Sequence, residues 1–170
     1  MVMQIAATYE FALTAAPLAL LQARTAPATW NAAQEMFAAQ PNFWRALLRA
    51  MYELTQEDFE VAGVSEIGIW RGIRDVPRSG SPAWLSRGEW RRGRSLHLMM
   101  QPLSSFTSEE VIASGFAGKT SAKSKAMSIV LRATIPVGRV LSSGRTGFGL
   151  LREHEFVVLA TPGNVQAIVR

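Results

Sequence analysis

The chain is 170 residues long, with 48% hydrophobic and 18% charged residues, a balance that suits one folded domain and excludes a disordered tail. The absence of cysteine removes disulfides and thiolate metal sites, and two histidines, His97 and His154, leave an imidazole metal centre or catalytic triad poorly supplied. The net charge of +5 is concentrated: seven arginines (71, 74, 78, 87, 91, 92 and 94) face only Asp75 and Glu89, and the rest of the chain is balanced. Such a cluster suits a phosphate-bearing ligand, a nucleic acid or an acidic protein surface; a plain solvated loop has the same composition.

The first sixty or so residues read as helical, rich in Ala, Leu, Met, Gln and Glu. Phe43, Trp44, Leu47, Leu48, Met51 and Leu54 fall at helical spacing, and Pro27 and the Gln40-Pro41-Asn42 corner divide the region into about three helices. The apolar run from Phe11 to Leu21 follows Glu10 and no Lys or Arg, so it reads as an Ala-rich helix rather than a signal peptide. No run is long enough to predict a transmembrane helix.

Beyond Val61 the pattern changes. Ile67 to Ile73 reads as a short strand, followed by a Pro/Gly/Ser/Arg-rich connection to about Gly93. His97 to Ser105 reads as extended, with His97 a structural residue rather than a base. Ser108 to Ala117 reads as a helix capped by Thr107 or Ser108, with Glu109 and Glu110 in its first turn. Strands are predicted at Met127–Ile135, Arg139–Leu141, Phe156–Ala160 and Val165–Val169, the last two around a Thr161–Asn164 turn. Gly144 to Gly149 reads as a glycine-rich turn. Helices first and strands later indicate an α+β domain, helical over 1–62 and mainly antiparallel sheet over 63–170.

Glu153-His154-Glu155 lies within the apolar stretch from Leu150 to Leu159, which reads as a strand. Alternation along a strand places Glu153 and Glu155 on one face and His154 on the other. Paired carboxylates there repel one another and gain nothing structurally, which marks them as functional candidates.

Trp70-Arg71-Gly72, then Ser105-Phe106-Thr107 leading into a helix, then Glu153-His154-Glu155 after a glycine-rich turn stand in a fixed order. This order resembles the Arg–Ser–Glu class of mono-ADP-ribosyltransferases, the cholera-toxin-like group, over about residues 65–170. The resemblance implies a split, mainly antiparallel sheet of the ADP-ribosyltransferase type and NAD as co-substrate, with no metal. It implies that Glu155 stabilises the oxocarbenium-like ribose and holds its 2′-hydroxyl, while Glu153 orients or deprotonates the acceptor. Arg71 and Gly72 then fall at the NAD phosphates, and Ser105 and Thr107 brace the catalytic glutamate. An alternative register, Ser104-Ser105-Phe106, has a hydroxyl at only one end of the triplet.

The turn from Ser142 to Arg152 corresponds to the family's substrate loop, where Phe148 either touches the acceptor or tucks into the core. The double glutamate implies an arginine of a target protein as acceptor; the arginine cluster leaves RNA or DNA as a second acceptor class. An inactive domain that binds through its arginines is the third alternative. The implied setting is a bacterial or phage toxin or effector in the cytoplasm of the producing or target cell, delivered by secretion or phage injection, with an immunity or antitoxin protein as partner and no membrane association.

Overall fold

A computed structural model describes residues 1–77, 93, 95–98, 100–118, 126–160 and 165–169. Four helices come first: α1 (Val2–Glu10), α2 (Ala15–Gln22), α3 (Pro27–Ala39) and α4 (Pro41–Val61). Proline opens both α3 and α4, where its missing N–H has no helical partner to lose. The helix break that the sequence concealed lies at Ala12, which has a positive φ of 47° and separates α1 from α2. None of these helices is long and apolar enough to cross a membrane.

α4 buries Leu48, Met51 and Thr55, one stripe at helical spacing, against the sheet. α1 is tied to α4 by Glu10, whose buried carboxylate meets Arg45 Nε at 2.9 Å and the Arg49 guanidinium. The side-chain amide of Gln4 takes both backbone groups of Leu103: its Oε1 accepts from the Leu103 N–H at 2.6 Å, and its Nε2 donates to the Leu103 carbonyl at 2.9 Å. The N-terminal helices are therefore a packed layer of the domain.

The remaining elements are β1 (Glu66–Pro77), β2 (Ser95–Leu98), β3 (Leu103–Thr107), α5 (Glu110–Ala117), β4 (Ala126–Pro136), β5 (Val140–Ser143), β6 (Glu155–Leu159) and β7 (Val165–Val169). The strands run in the order β2-β7-β4-β1-β3-β6-β5, and every pairing between neighbours is antiparallel. β6 and β7 are not neighbours: β6 lies between β3 and β5, whereas β7 lies between β2 and β4. β6 and β7 therefore do not form a hairpin, and the predicted Thr161–Asn164 turn lies outside the described residues.

The two halves meet at one register pair, Trp70 opposite Thr107. By contrast β1 and β4 pair along nearly their full lengths. Ile69 on β1 and Ile129, Leu131, Ala133 and Ile135 on β4 share a buried cluster with Phe106, Val140 and Val158 of the other half. The opposite face of β1 carries α5, whose backbone lies so close that a Cβ on Gly72 would sit 1.8 Å from the Ala113 carbonyl oxygen. β4 ends at Pro136 and β5 begins at Val140, yet β1, β3 and β6 lie between them in the sheet; so short a connection requires the sheet to bend, and the two halves share one core.

Two expectations change. α5 begins at Glu110, with Glu109 at its N-cap position and no side-chain cap. Thr107 still serves the helix entry, because its hydroxyl accepts the Glu109 N–H at 3.1 Å. The 150–159 segment is not one strand: Leu151–Glu153 forms a 3-10 turn, His154 is left-handed with φ of 46°, and β6 starts at Glu155. Glu153 and Glu155 are thus not alternate positions of one strand.

Because Gly72 has no room for a side chain, Gly72→Ala forces α5 off β1. The expected loss is about 3 kcal/mol, overpacking against backbone that has no rotamer to yield. Thermal denaturation should show a melting temperature lower by about 6–12 °C; an unchanged value would refute this close approach.

Candidate active site at the sheet seam

The register across the seam explains how three distant segments converge. Trp70 on β1 stands opposite Thr107 on β3, and Thr107 stands opposite Glu155 on β6, so one row crosses three strands. Arg71 and Gly72 follow Trp70 directly, and Ser105 lies two positions before Thr107. Bending at the seam opens a cavity of about 440 Å³ at this row, a size typical of ligand sites. Arg71, Gly72, Ser105, Thr107, Glu153 and Glu155 all line it.

Arg71 lies on the same face of β1 as Ile69 and Ile73, which points it between the two halves of the sheet. Its guanidinium carbon lies 5.3 Å from the centre of the Phe106 ring. A structural role for Arg71 would be an ion pair to a neighbouring carboxylate such as Glu66 or Asp75; among the described residues it forms none, and the Asp75 side chain lies outside them. Burial, and secondarily the positive charge of Arg24, pull its pKa below the ordinary arginine value to about 10. It remains a cation at neutral pH. A desolvated cation without a carboxylate costs stability, and an anion entering the cavity would relieve that cost.

Arg74 lines the same cavity and is oriented by its Nε, which donates to the Phe116 carbonyl at 3.0 Å. The other arginines of the cluster, Arg78, Arg87, Arg91, Arg92 and Arg94, lie outside the described residues. His97 is on β2, at the sheet edge and separated from β1 by β7 and β4.

Glu155 is held by a reciprocal clamp. Its Oε2 accepts the Leu150 N–H at 2.9 Å, and its own N–H donates to the Leu150 carbonyl at 3.3 Å. One carboxylate oxygen is therefore anchored to backbone while the side chain faces the cavity. The turn can close this tightly only because residue 149 is glycine: a Cβ there would lie 2.4 Å from the Gly144 nitrogen and 2.6 Å from the Glu155 carbonyl oxygen. Glu153 reaches the same cavity from the 3-10 turn. Its carbonyl accepts the Thr107 hydroxyl at 2.6 Å. Thr107 thus bonds to both the turn and the entry of α5.

The register Ser105-Phe106-Thr107 fits this geometry, since all three residues line the cavity, whereas Ser104 is buried and its hydroxyl has no partner among the described residues. Phe148 does not line the cavity and is 49% exposed, which rules out the core position. Sequence reasoning missed Phe106, Phe116, Leu150 and the wall formed by Trp70. Trp70 sits inside the Trp-Arg-Gly motif, but Phe116 and Leu150 carry no signal in sequence beyond their neighbours. Among the described residues no three His, Cys, Asp or Glu side chains gather as a metal site. Comparison of the chain with protein-family models, curated proteins and solved structures returned no match.

The electrostatics yield a test with two opposite signs. Folding lowers the Arg71 pKa, so its charge opposes folding at neutral pH, and the penalty fades as pH rises through about 10. Arg71→Met should therefore stabilise the fold by about 1–2 kcal/mol, raising the melting temperature by a few degrees. The same variant should lose affinity for inorganic pyrophosphate about 100-fold in calorimetric titration. A destabilised variant that still binds pyrophosphate would contradict both halves of the assignment.

Proposed function

We propose that the chain is an NAD-dependent mono-ADP-ribosyltransferase with a domain of the ADP-ribosyltransferase type, transferring ADP-ribose to arginine of a target protein and releasing nicotinamide. The observation that carries this reading is that Arg71, Ser105, Thr107, Glu153 and Glu155, from three separate parts of the chain, line one cavity. Chance places such residues together far less readily than it places any one motif in a sequence.

The residues present suit the substrate. The guanidinium of Arg71, with no carboxylate partner among the described residues, matches a diphosphate, and Arg74, on the α5 side of β1, lines the same cavity as a second cation. Trp70, Phe106 and Phe116 supply flat apolar surface for the rings of a dinucleotide. Glu155, anchored through one oxygen, presents negative charge where the ribose carbon becomes positive as its bond to nicotinamide breaks. The electrons of that bond leave with nicotinamide. Glu153 draws the proton from the acceptor nitrogen as it bonds to the ribose carbon, and its carboxylate pairs naturally with a guanidinium.

Exposed Phe116, Phe148, Leu150 and Leu151 favour a protein acceptor over RNA or DNA, because apolar side chains contribute little to a phosphate backbone. The role that goes with this chemistry is a toxin or effector acting in the cytoplasm of the producing or target cell.

Glu155→Gln should lower NAD cleavage by at least about 100-fold, measured as nicotinamide release, while leaving the fold intact. Glu153→Gln should suppress transfer to arginine at least about tenfold more than NAD hydrolysis; equal loss of both would remove its acceptor role. Labelled NAD incubated with a bacterial lysate should yield label released by protease. Label released by nuclease would indicate a nucleic-acid acceptor, and no label would indicate a binding domain without activity.

A further inference from the structure

The turn that clamps Glu155 is itself docked on α4, through hydroxyl groups that the proposed chemistry does not use. Thr55 is 1% exposed and is the last of the three buried residues in the α4 contact stripe. Its Oγ1 lies 2.7 Å from the Met51 carbonyl, 3.1 Å from the Leu141 carbonyl and 2.6 Å from Thr146 Oγ1. Thr146 Oγ1 in turn accepts the Ser143 N–H at 3.0 Å.

A hydroxyl has one proton. With the Thr55 proton given to a backbone carbonyl, Thr55 receives the proton of Thr146, and Thr146 receives the N–H of Ser143. The bonds then run in one direction from the turn into the helix, and each strengthens the next. Gly147 completes the dock, since a Cβ there would lie 2.6 Å from Met51 Sδ and 2.9 Å from Ser142 Cβ. Three residues further on, the same turn presents the Leu150 N–H to Glu155 Oε2.

We infer that Thr55 is a positioning residue for Glu155, acting through Thr146 and the Leu150 amide, so that the N-terminal helical layer is part of the working site; the inference rests on the catalytic role proposed for Glu155. Thr55 contributes nothing to the Arg71 wall of the cavity. Its loss should therefore affect the chemical step and spare nucleotide binding.

Thr55→Val keeps the shape and removes the hydroxyl, so the Thr146 hydroxyl loses its bond to α4 and falls back on the longer contact with Ser143 Oγ at 3.3 Å, within the turn itself. In the full chain, hydrogen exchange of the 144–150 segment should quicken about tenfold, while β1 and β4 keep their protection. Thr55→Ser should restore wild-type exchange. For NAD hydrolysis, kcat should fall about tenfold in Thr55→Val with KM within about twofold of wild type, and recover in Thr55→Ser.

Thr146→Val breaks the same bond from the turn side. The double variant should lose no more than either single one. Unchanged exchange in Thr55→Val and Thr146→Val would overturn the tether, whatever the activity. Faster exchange with unchanged kcat would overturn the positioning role. A wild-type chain that does not hydrolyse NAD would instead overturn the proposed function, and the exchange comparison would still decide for or against the tether.

Discussion

The single pairing of Trp70 with Thr107 is the constraint on which the rest of the molecule depends. A longer ladder between β1 and β3 would hold the sheet continuous and leave no reason for it to bend. With no pairing, the halves would be separate sheets, and nothing would align Arg71 with Glu155. One pair gives a hinge that is fixed in register but narrow enough to fold over. The buried cluster shared by the two halves then forms, and the cavity opens where the fold begins.

Around that seam the two kinds of charge are treated differently. Arg71 is half-buried against Phe106 with no described carboxylate to neutralise it, and its pKa falls accordingly. The Glu155 carboxylate is anchored by a backbone N–H, whereas Glu153 is held at its backbone carbonyl by the Thr107 hydroxyl, and among the described residues neither acid pairs with a cation. Had Arg71 paired with either glutamate, the site would be more stable and electrically silent. Local cost at a site is common when the compensating group is a ligand.

Much of the fold was legible, for reasons that particular residues make plain. β1 and β4 alternate visibly because each buries one face, and α4 shows its apolar stripe. What failed was the segment from Leu150 to Glu155, whose Leu- and Val-rich surroundings read as one strand. Two interactions invisible to pattern override that propensity: the Glu155 carboxylate captures the Leu150 N–H, and Gly149 lets the turn close on it. The break at Ala12 was hidden because no Gly or Pro marks it. The separation of β6 from β7 was hidden too, because partner choice between distant strands is not a property of either segment. The residues picked by chemical type and order still line one cavity despite these errors of conformation, Phe148 excepted.

A sheet that bends on one pair also creates an edge in its own middle. Past Thr107, going back toward Leu103, β3 has β6 on one side and no strand partner from β1 on the other. Unpaired N–H and C=O groups in such a row are a template for a foreign strand. Gln4 occupies the Leu103 position of that row with a side-chain amide that offers one donor and one acceptor, as a neighbouring peptide would. The first helix is thus a guard as well as a layer of the core. A chain deprived of it would expose strand-pairing groups and become prone to edge-to-edge association, even with every residue of the cavity in place.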